Sequence, residues 1–352
     1  MLSPRGRARW TYATSGVDVR ARSRALEALL ESLEYRAPPD HGRPIRAPGH
    51  FAGMIRVGRE TIAMTTDTVG TKVLLAEQLG RWEEVGEDIV GVNVNDLAAV
   101  GARPAGLVDT ILCVRPDEGV FRALGRGLDR GMRQARCTLL GGETAIVPDL
   151  VRGIDLGGTA VGFFPRGRAP VTGARLSAGD VILGIPSAGL HANGFTLVRK
   201  LLDDRAVDLA APRPGASEPV GVELLRPTRI YSTIADALAG RPDVHGFAHM
   251  SGGGVRNLVR LHPRLGFVLD HWPVPPPLFR WVQSLGELPD EEMFETFNMG
   301  IGFVVIVARH RLSEVHRRLA RAGAPDALAI GHVARGGGVR LPDLGLEYAQ
   351  YA

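Results

Sequence analysis

Short apolar segments alternate with amphipathic helical segments along this chain, and the alternation runs through two rounds. The first round predicts strands at 61–66, 107–114 and 157–164, and helices at 83–100 and 120–134. The second round predicts strands at 180–185, 244–250 and 302–307, and helices at 194–202, 224–239, 254–261 and 311–322. Strands and helices in alternation must bury their apolar faces against one another. The pattern therefore predicts an α/β (α+β) architecture of helices layered on sheets.

The length of the chain indicates two such layered units. At 352 residues it fits two domains of ordinary size. A turn-rich basic stretch at 165–170 (PRGRAP) separates the two rounds and is suited to a domain junction. We predict an N-terminal domain over 1–168 and a C-terminal domain over 169–352.

Composition excludes several classes of protein. Hydrophobic residues make up 45% of the chain and charged residues 23%, so it can form sizeable cores. No apolar run approaches the ~18 residues of a membrane helix, and the basic start lacks the apolar core of a signal peptide. We therefore expect a cytoplasmic protein without a membrane partner. The net charge of +4 comes from scattered basic residues, so a nucleic-acid partner is not expected. Cys113 and Cys137 are too few for a disulfide scaffold.

Lysine is almost absent from the basic residues. Of 42 lysines and arginines, only Lys72 and Lys200 are lysine. A lysine that survives so strong a preference for arginine is a candidate for a site that needs a compact ammonium group. Chance survival is the alternative.

The segment 66–72 (TDTVGTK) is the first candidate site. Asp67 stands where an apolar strand ends, and a turn containing Thr68, Gly70 and Thr71 leads to Lys72 and a helix. The carboxylate can hold Mg²⁺, the glycine lets backbone N–H groups approach phosphate, and the ammonium can neutralise phosphate oxygens. An ordinary capped strand–turn–helix is the alternative.

Further acidic residues recur near predicted element ends. Asp96 shares a helix face with apolar residues, where an unpaired carboxylate is costly and a cation would be a partner; a helix cap is the alternative. Glu143 follows Gly141 and Gly142, which we interpret as a turn, and is either a metal ligand or a solvent-facing residue. Asp109 lies inside an apolar strand, where it binds a ligand or faces water.

Two glycine-bounded turns mark the second half. In 189–194 (GLHANG), His191 is the best general acid–base candidate, and Asn193 is a ligand or merely a helix cap. The helix that starts near Asn193 would keep the His191 ring neutral. Lys200, deeper in that helix, is expected to be solvated or ion-paired. In 249–254 (HMSGGG), the triple glycine is either an anion site or a point of tight packing.

Together these motifs resemble the phosphoribosylformylglycinamidine cyclo-ligase (aminoimidazole ribonucleotide synthetase) family. The short segment GHFAG is similar to the corresponding segment of archaeal-type members. The matching segments, in the order of the family, are 12–18 (YATSGVD), 49–53 (GHFAG), 66–72 (TDTVGTK), 93–97 (NVNDL), 108–109, 141–144 (GGET), 189–199 (GLHANGFTLVR), 227–231 (PTRIY), 249–254 (HMSGGG) and 297–302 (FNMGIG).

The resemblance implies a homodimer of two-domain subunits, with a ferredoxin-like core in the N-terminal domain and an α/β C-terminal domain. It implies ATP-dependent ring closure of formylglycinamidine ribonucleotide in purine synthesis, with ATP and Mg²⁺ as cofactors. ATP would phosphorylate the formyl oxygen, the amidine nitrogen would attack the formyl carbon, and phosphate would leave.

Transferred residue by residue, the resemblance implies four groups. Metal ligands would be Asp67, Asp96 and Glu143. ATP would contact Asp18, Asp67, Thr68, Gly70, Thr71, Lys72 and Asp109. Substrate would contact Asn193, Ser251, Gly252 and Gly253. His191 and Lys72 would be catalytic.

The sequence departs from the family at two positions. Thr68 replaces a glycine that is common in TDGVGTK, which alters the turn, and Glu295 replaces a basic residue that is common before TFN, which weakens a phosphate contact. The alternatives are another ATP-using member of the same superfamily, similar to thiamine-monophosphate kinase or selenophosphate synthetase, and a non-catalytic binding protein on this scaffold.

Overall fold

The computed structural model describes residues 10–35, 37–47 and 49–351. The first half of the chain contributes a sheet of six strands in the order β1-β2-β3-β6-β4-β5. Its neighbours pair antiparallel except β4 and β5, which are parallel. The strands are β1 Arg43–Ile45, β2 Gly53–Val57, β3 Glu60–Thr68, β4 Arg103–Cys113, β5 Thr138–Ile146 and β6 Ile154–Phe163.

The second half contributes a sheet of seven strands in the order β13-β12-β9-β11-β7-β10-β8. The strands are β7 Val181–Pro186, β8 Val244–His249, β9 Leu265–Val268, β10 Ile301–Val307, β11 Leu328–Arg335, β12 Val339–Leu341 and β13 Leu346–Tyr348. Each sheet thus draws its strands from one of the two predicted domains, although the boundary at 168/169 stays a prediction.

Ten α-helices and four 3-10 helices cover these sheets within the described residues. The α-helices are α1 Val19–Glu31, α2 Lys72–Leu79, α3 Glu83–Ala99, α4 Glu118–Ala135, α5 Phe195–Asp204, α6 Val220–Leu225, α7 Ser232–Asp236, α8 Pro277–Gly286, α9 Asp290–Thr296 and α10 Leu312–Arg321. The 3-10 helices are Pro39–His41, Gly254–Leu261, Arg309–Arg311 and Pro342–Leu344. No helix among them is long and apolar enough to cross a membrane.

Most of the predicted elements are confirmed, and two predictions are wrong. The Gly141-Gly142 segment is part of strand β5 and pairs with β4; the register shifts between Leu139 and Gly141, where Gly141 has φ +150°. The helix predicted over 224–239 is two short helices, α6 and α7, separated by an irregular segment that contains Pro227. The cysteines Cys113 and Cys137 are both free.

Helix α3 is the element that both halves share. It is apolar on most sides, and 14 of its 17 residues are buried, which is typical of a central helix. It packs on β3, β4 and β6 of the first sheet and also on β8 of the second. Helix α4 crosses it closely, and a Cβ at Gly127 would lie 1.9 Å from the Glu83 carbonyl oxygen.

Polar side chains of α3 bind the segment 226–231 of the other half. Asp88 Oδ1 accepts hydrogen bonds from the backbone N–H of Thr228 at 2.8 Å and from its hydroxyl at 2.6 Å. About two turns further along the same face, Asn95 accepts from the Tyr231 N–H at 2.8 Å and donates to the Arg229 carbonyl at 2.9 Å. These bonds satisfy buried polar groups on both sides and fix the two halves against each other.

The first sheet has two unlike faces. Its inner face, which includes Ala63, Leu107 and Leu156, is buried and carries α3. Its outer face exposes apolar side chains, with Met64 50%, Val108 39% and Phe163 39% exposed. Successive residues of a strand project to opposite faces, so only every second side chain can face α3 and the second half of the chain.

Candidate active site

Four residues form one row across the first sheet and bring two carboxylates to its inner face. Asp67 on β3 and Asp109 on β4 both pair with Gly158 on β6, and Asp109 also pairs with Gly142 on β5. Residues paired across neighbouring strands project on the same side of a sheet. Asp67 and Asp109 therefore stand on the inner face, with a glycine beside each.

The glycines in this row leave room that a side chain would fill. A Cβ at Gly158 would lie 3.1 Å from Ile89 Cγ1 and 3.2 Å from Asn93 Nδ2. At Gly142 it would lie 1.8 Å from Asp109 Oδ1. Gly158 was not singled out from the sequence, because its role follows from strand register and not from a local motif.

Asp67 is the most perturbed carboxyl group of this face. Burial and, after it, the nearby charge of Asp96 raise its pKa to about 6, although a 2.8 Å hydrogen bond from the Thr68 N–H opposes the change. Burial also raises the pKa of Asp109. A carboxylate that burial and a like charge destabilise is a good partner for a cation.

Asp96 approaches this face from α3 and is bound to a histidine. Its Oδ1 lies 2.9 Å from His249 Nδ1, and the His249 side chain is 1% exposed. His249 ends strand β8, so the second half of the chain contributes to the site through this contact. The sequence motif HMSGGG contains His249, but its pairing with Asp96 depends on the packing of α3 against β8.

Oxygen ligands suited to Mg²⁺ are present, but the predicted trio of ligands is not assembled in one chain. Asp67 and Asp96 lie close enough for their charges to interact, and Asn93 Oδ1 is buried without a hydrogen-bond partner. Oxygen donors of this kind fit Mg²⁺. Across the described ranges, no three His, Cys, Asp or Glu side chains form a metal-binding group.

Glu143 lies apart from Asp67 and Asp96 because of strand parity. It pairs with Thr110 on β4, one residue beyond the row that contains Asp109, and it is exposed. Successive residues of a strand project to opposite faces. Glu143 therefore stands on the outer face of the sheet.

Lys72 is buried in an ion pair. Its Nζ lies 2.6 Å from Asp88 Oδ2 and donates to the Arg226 carbonyl at 2.9 Å. Burial lowers the pKa of the Lys72 ammonium and raises that of the Asp88 carboxyl, and the ion pair opposes both changes. Lys72 Nζ thus contacts α3 and the second half of the chain, which the sequence motif alone did not indicate.

The turn before Lys72 is open enough for a ligand. Gly70 has φ +66°, and a Cβ there would meet no atom within 4 Å. Thr71 Oγ1 lies 2.9 Å from Thr196 Oγ1 on α5, so the turn touches both halves of the chain. Thr68, the first departure from the family, is exposed on the outer face and pairs with Gly157.

His191 lies in a buried turn, in the left-handed region with φ +61° and 1% exposed. Its Nε2 accepts a hydrogen bond from the Ala188 N–H at 3.3 Å. Burial is the main reason that its pKa falls well below 6.5, and the charge of Lys72 lowers it further. Burial therefore favours the neutral form of the ring, the form also expected from the nearby helix N-terminus.

Asn193 is a neighbour of the triple glycine and not a helix cap. The N-cap of α5 is Gly194, which has φ +78°. Asn193 Oδ1 would lie 3.0 Å from a Cβ at Gly252, so the motifs GLHANG and HMSGGG meet at this point.

The triple glycine leads into the 3-10 helix Gly254–Leu261, and Gly253 has φ +106°. Tyr351 donates its hydroxyl hydrogen to the Gly252 carbonyl at 2.9 Å. Glu295, the second departure from the family, lies 2.6 Å from Arg256 Nη1 in that helix. A basic group therefore remains beside the loop, although the residue before TFN is acidic.

Two residues that the sequence highlights lie at the surface. Asp18 is exposed and caps α1, where its carboxylate accepts from the Ala21 N–H at 2.9 Å. Lys200 is exposed, and its Nζ would lie 3.9 Å from a Cβ at Gly16. Neither belongs to the group formed by Asp67, Asp96 and His249.

Comparisons with known proteins identify the class to which this fold belongs. "AIR synthase related protein, N-terminal domain" matches residues 49–164, and "AIR synthase related protein, C-terminal domain" matches residues 177–343. Among solved structures, a HypE-HypF complex is similar with a TM-score of 0.64 at 16% identity, over 92% of this chain and 98% of that one. Thiamine-monophosphate kinase from Stenotrophomonas maltophilia K279a has a TM-score of 0.62 at 23% identity, over 93% and 96%. The fold is therefore that of the AIR synthase related class of two-domain α/β proteins.

Relatives with higher identity define the family within this class. Phosphoribosylformylglycinamidine cyclo-ligase of Methanosarcina mazei is 41% identical over 84% of this chain and 88% of its own length. The protein of that name from Thermococcus kodakarensis is 40% identical over 96% of this chain and 99% of its own. The chain belongs to the phosphoribosylformylglycinamidine cyclo-ligase family.

Proposed function

We propose that this chain catalyses the ATP-dependent cyclisation of formylglycinamidine ribonucleotide to 5-aminoimidazole ribonucleotide, a step of purine biosynthesis. The observation that carries the proposal is the meeting of Asp67, Asp96 and His249 from both halves of the chain. Nearby, Asn193 approaches Gly252 where the GLHANG and HMSGGG motifs meet. The names of relatives that match nearly the full chain supply the reaction.

In this proposal, residues of the first half of the chain bind MgATP. Bound MgATP supplies the phosphoryl group that converts the formyl oxygen into a leaving group. Asp67 and Asp96 hold the metal, with Asp109 beside them on the same face. Thr68, Gly70 and Thr71 form the turn that binds the phosphates, and the space beside Gly70 is open.

The second half binds the substrate in this proposal. His191 presents a neutral ring to the reacting groups, and Asn193 with Ser251, Gly252 and Gly253 forms the adjacent binding surface. Lys72 supports the turn through Asp88, because its ammonium group is already buried against that carboxylate. Its contribution is therefore to position the turn from within the protein.

We also propose a homodimer formed through the outer face of the first sheet. Met64, Val108 and Phe163 expose apolar surface there, and burial of such a face in a second copy is favourable. Glu143 lies on this same face, so it acts as a metal or nucleotide ligand only by reaching the site of the other subunit. A role in the other subunit's site would explain how Glu143 can be a ligand although it lies on the outer face of its own sheet.

The assay that tests the activity follows ADP and 5-aminoimidazole ribonucleotide together. With ATP, Mg²⁺ and formylglycinamidine ribonucleotide, we expect the two products in equal amounts. Thiamine monophosphate serves as the matched alternative substrate. ADP formed with thiamine monophosphate alone would favour a kinase, and no turnover with either substrate would favour a binding protein.

Mixed dimers test the role of Glu143. The variants Asp67→Asn and Glu143→Gln are each expected to be inactive alone. If Glu143 serves the other subunit, one site of a mixed dimer contains both changes and the other contains neither. Refolding or co-expressing the two variants together should then restore activity. Recovery that does not exceed the sum of the separate variants would place Glu143 outside the site.

A further inference from the structure

Two buried histidines at the proposed site each have one ring nitrogen without a partner. His191 and His249 are both 1% exposed. His191 Nδ1 and His249 Nε2 are buried and make no hydrogen bond. A buried polar atom without a partner is costly, so its presence in each ring calls for an explanation.

The partners of the other two nitrogens fix which atoms carry hydrogen. His191 Nε2 accepts from the Ala188 N–H, so the hydrogen of the neutral ring is on Nδ1. His249 Nδ1 faces the Asp96 carboxylate at 2.9 Å, so its hydrogen is on Nδ1, and Nε2 of the neutral ring is an acceptor. The unpartnered atoms are therefore a donor on His191 and an acceptor on His249.

The fold brings these two rings to the same corner of the second sheet. Gly302 on β10 accepts a hydrogen bond at 3.0 Å from the N–H of Met250, the residue after His249. A Cβ at Gly302 would lie only 2.6 Å from His191 Cε1. Phe303, which pairs with His249 across the strands, stacks on Tyr231, whose ring centroid is 6.2 Å from that of His191.

We propose that His191 and His249 form a donor–acceptor pair that holds the substrate in its ring-closing conformation. The inference rests on the proposed function and deepens it. The formyl oxygen accepts from His191 Nδ1–H, and the amidine N–H donates to His249 Nε2. Ring closure joins the amidine nitrogen to the formyl carbon, so the two ends of the substrate must be folded together. Holding reacting groups in such a geometry removes much of the entropic barrier. In this arrangement Asp96 orients His249 in addition to facing the metal.

Amide substitutions can separate this role from a structural one. An asparagine amide can replace the Nδ1 side of a histidine, whereas a glutamine amide reaches the Nε2 side. At position 249, His249→Gln keeps the acceptor and loses the contact with Asp96, and His249→Asn does the reverse. At position 191, His191→Asn keeps the donor and His191→Gln keeps the contact with Ala188.

The pair predicts opposite preferences at the two positions. At position 249 we expect a higher kcat for the Gln variant than for the Asn variant, and at position 191 we expect the reverse. The poorer variant of each pair should have a kcat lower by roughly 10–100-fold, as for the loss of a buried hydrogen bond. The affinity for ATP, measured by calorimetry, should stay within about twofold of wild type. Asn above Gln at 249 would show that His249 only anchors Asp96, and equal losses for all four variants would show a structural pair; either result overturns the proposal.

His245 provides a matched control. It lies on the same strand β8, and its Nδ1 is 2.7 Å from Asp180 Oδ2, which reproduces the contact of His249 with Asp96. His245→Asn and His245→Gln should leave kcat unchanged. A wild-type protein that forms no 5-aminoimidazole ribonucleotide would refute the proposed function and this inference with it. Normal wild-type turnover with the wrong order of variants would refute only the histidine pair.

A measurement on the wild-type protein guards against variants that do not fold. Long-range ¹H–¹⁵N spectra of histidine-labelled protein report which nitrogen of each ring carries hydrogen. We expect hydrogen on Nδ1 in both rings, and a change at His191 Nδ1 and His249 Nε2 when formylglycinamidine ribonucleotide is added without ATP. Unchanged signals from both atoms at saturating substrate would contradict the proposal.

Discussion

The inner and outer faces of the first sheet belong to the same strands, but substitutions on the two faces should have different effects. On the inner face, Asp67, Gly158 and Asp109 stand against α3, and the adjoining ion pair of Lys72 is fully buried. On the outer face, Met64 and other apolar side chains are exposed. A change on the covered side should alter the stability of the chain itself. A change on the exposed side should alter association between chains.

The largest effect is expected for Lys72→Met. Removing one partner of a buried ion pair leaves Asp88 uncompensated and costs about 3–5 kcal/mol of unfolding free energy. Urea denaturation measures this loss. The matched control is Lys200→Met, at the exposed lysine, which should change the free energy of unfolding by no more than ~0.5 kcal/mol. Equal effects of the two substitutions would show that the Lys72–Asp88 contact does not stabilise the protein.

The next effect concerns Asp67→Asn and its dependence on pH. The pKa of Asp67 is about 6 in the folded protein against an ordinary value of 3.8. The folded state therefore binds this proton more tightly, and wild-type stability falls as pH rises from 3.8 to about 6.

Without Mg²⁺, Asp67→Asn should be more stable than wild type above pH 6 by up to about 3 kcal/mol and similar to it below pH 4. Denaturation at several pH values, with chelator and then with MgATP, measures this difference. MgATP should stabilise the wild type more than the variant. An advantage of the variant that is the same at pH 3.5 and pH 7 would exclude titration of Asp67 as its cause.

A pair of adjacent glycines sharpens the comparison between the faces. A Cβ at Gly158 points to the inner face, 3.1 Å from Ile89 Cγ1, whereas at Gly157 it points to the outer face at ordinary contact distances of 3.6 Å or more. Gly158→Ala should therefore cost about 1–3 kcal/mol by overpacking. Gly157→Ala should cost less than ~0.5 kcal/mol. Thermal denaturation of the two variants side by side gives the difference, and a greater loss for Gly157→Ala would reverse the assignment of the faces.

The smallest effect on chain stability is expected for Met64→Asp on the outer face. Its side chain is half exposed, so the free energy of unfolding of the separate subunit should change by no more than ~0.5 kcal/mol. In the proposed dimer the carboxylate would be buried without a partner, so the subunits should separate. Sedimentation velocity reports the mass of the particle. A dimer of unchanged affinity would place the interface elsewhere.

The alternation of strands and helices was sufficient to predict the layered fold, because its signal is local. The predicted turn at Gly141-Gly142 failed because pairing with β4 overrides the local preference of glycine for turns. The helix predicted over 224–239 failed where Pro227 interrupts it and where α3 binds the following residues through Asp88 and Asn95.

The sequence motifs propose residues for the candidate site, but they do not predict how those residues are arranged. Asp67 and Asp96 were identified from their motifs, and they do approach each other. The partner of Lys72 lies on another helix, and the position of Glu143 depends on strand register, so neither follows from residue spacing. The pairing of His249 with Asp96 likewise required the packing of β8 against α3.

The bonds from α3 to the segment 226–231 have a consequence for how the protein melts. Asp88 and Asn95 are buried in the first half of the chain, yet their hydrogen bonds end on Thr228, Arg229 and Tyr231 of the second. Separating the halves would leave these polar groups without hydrogen-bond partners. Unfolding of either half therefore costs free energy in the other. Heating should therefore produce one calorimetric transition, with a van't Hoff enthalpy close to the measured heat for the whole chain. The segment between β6 and β7 separates the strands of the two sheets along the sequence, but we expect the molecule to unfold as one cooperative unit.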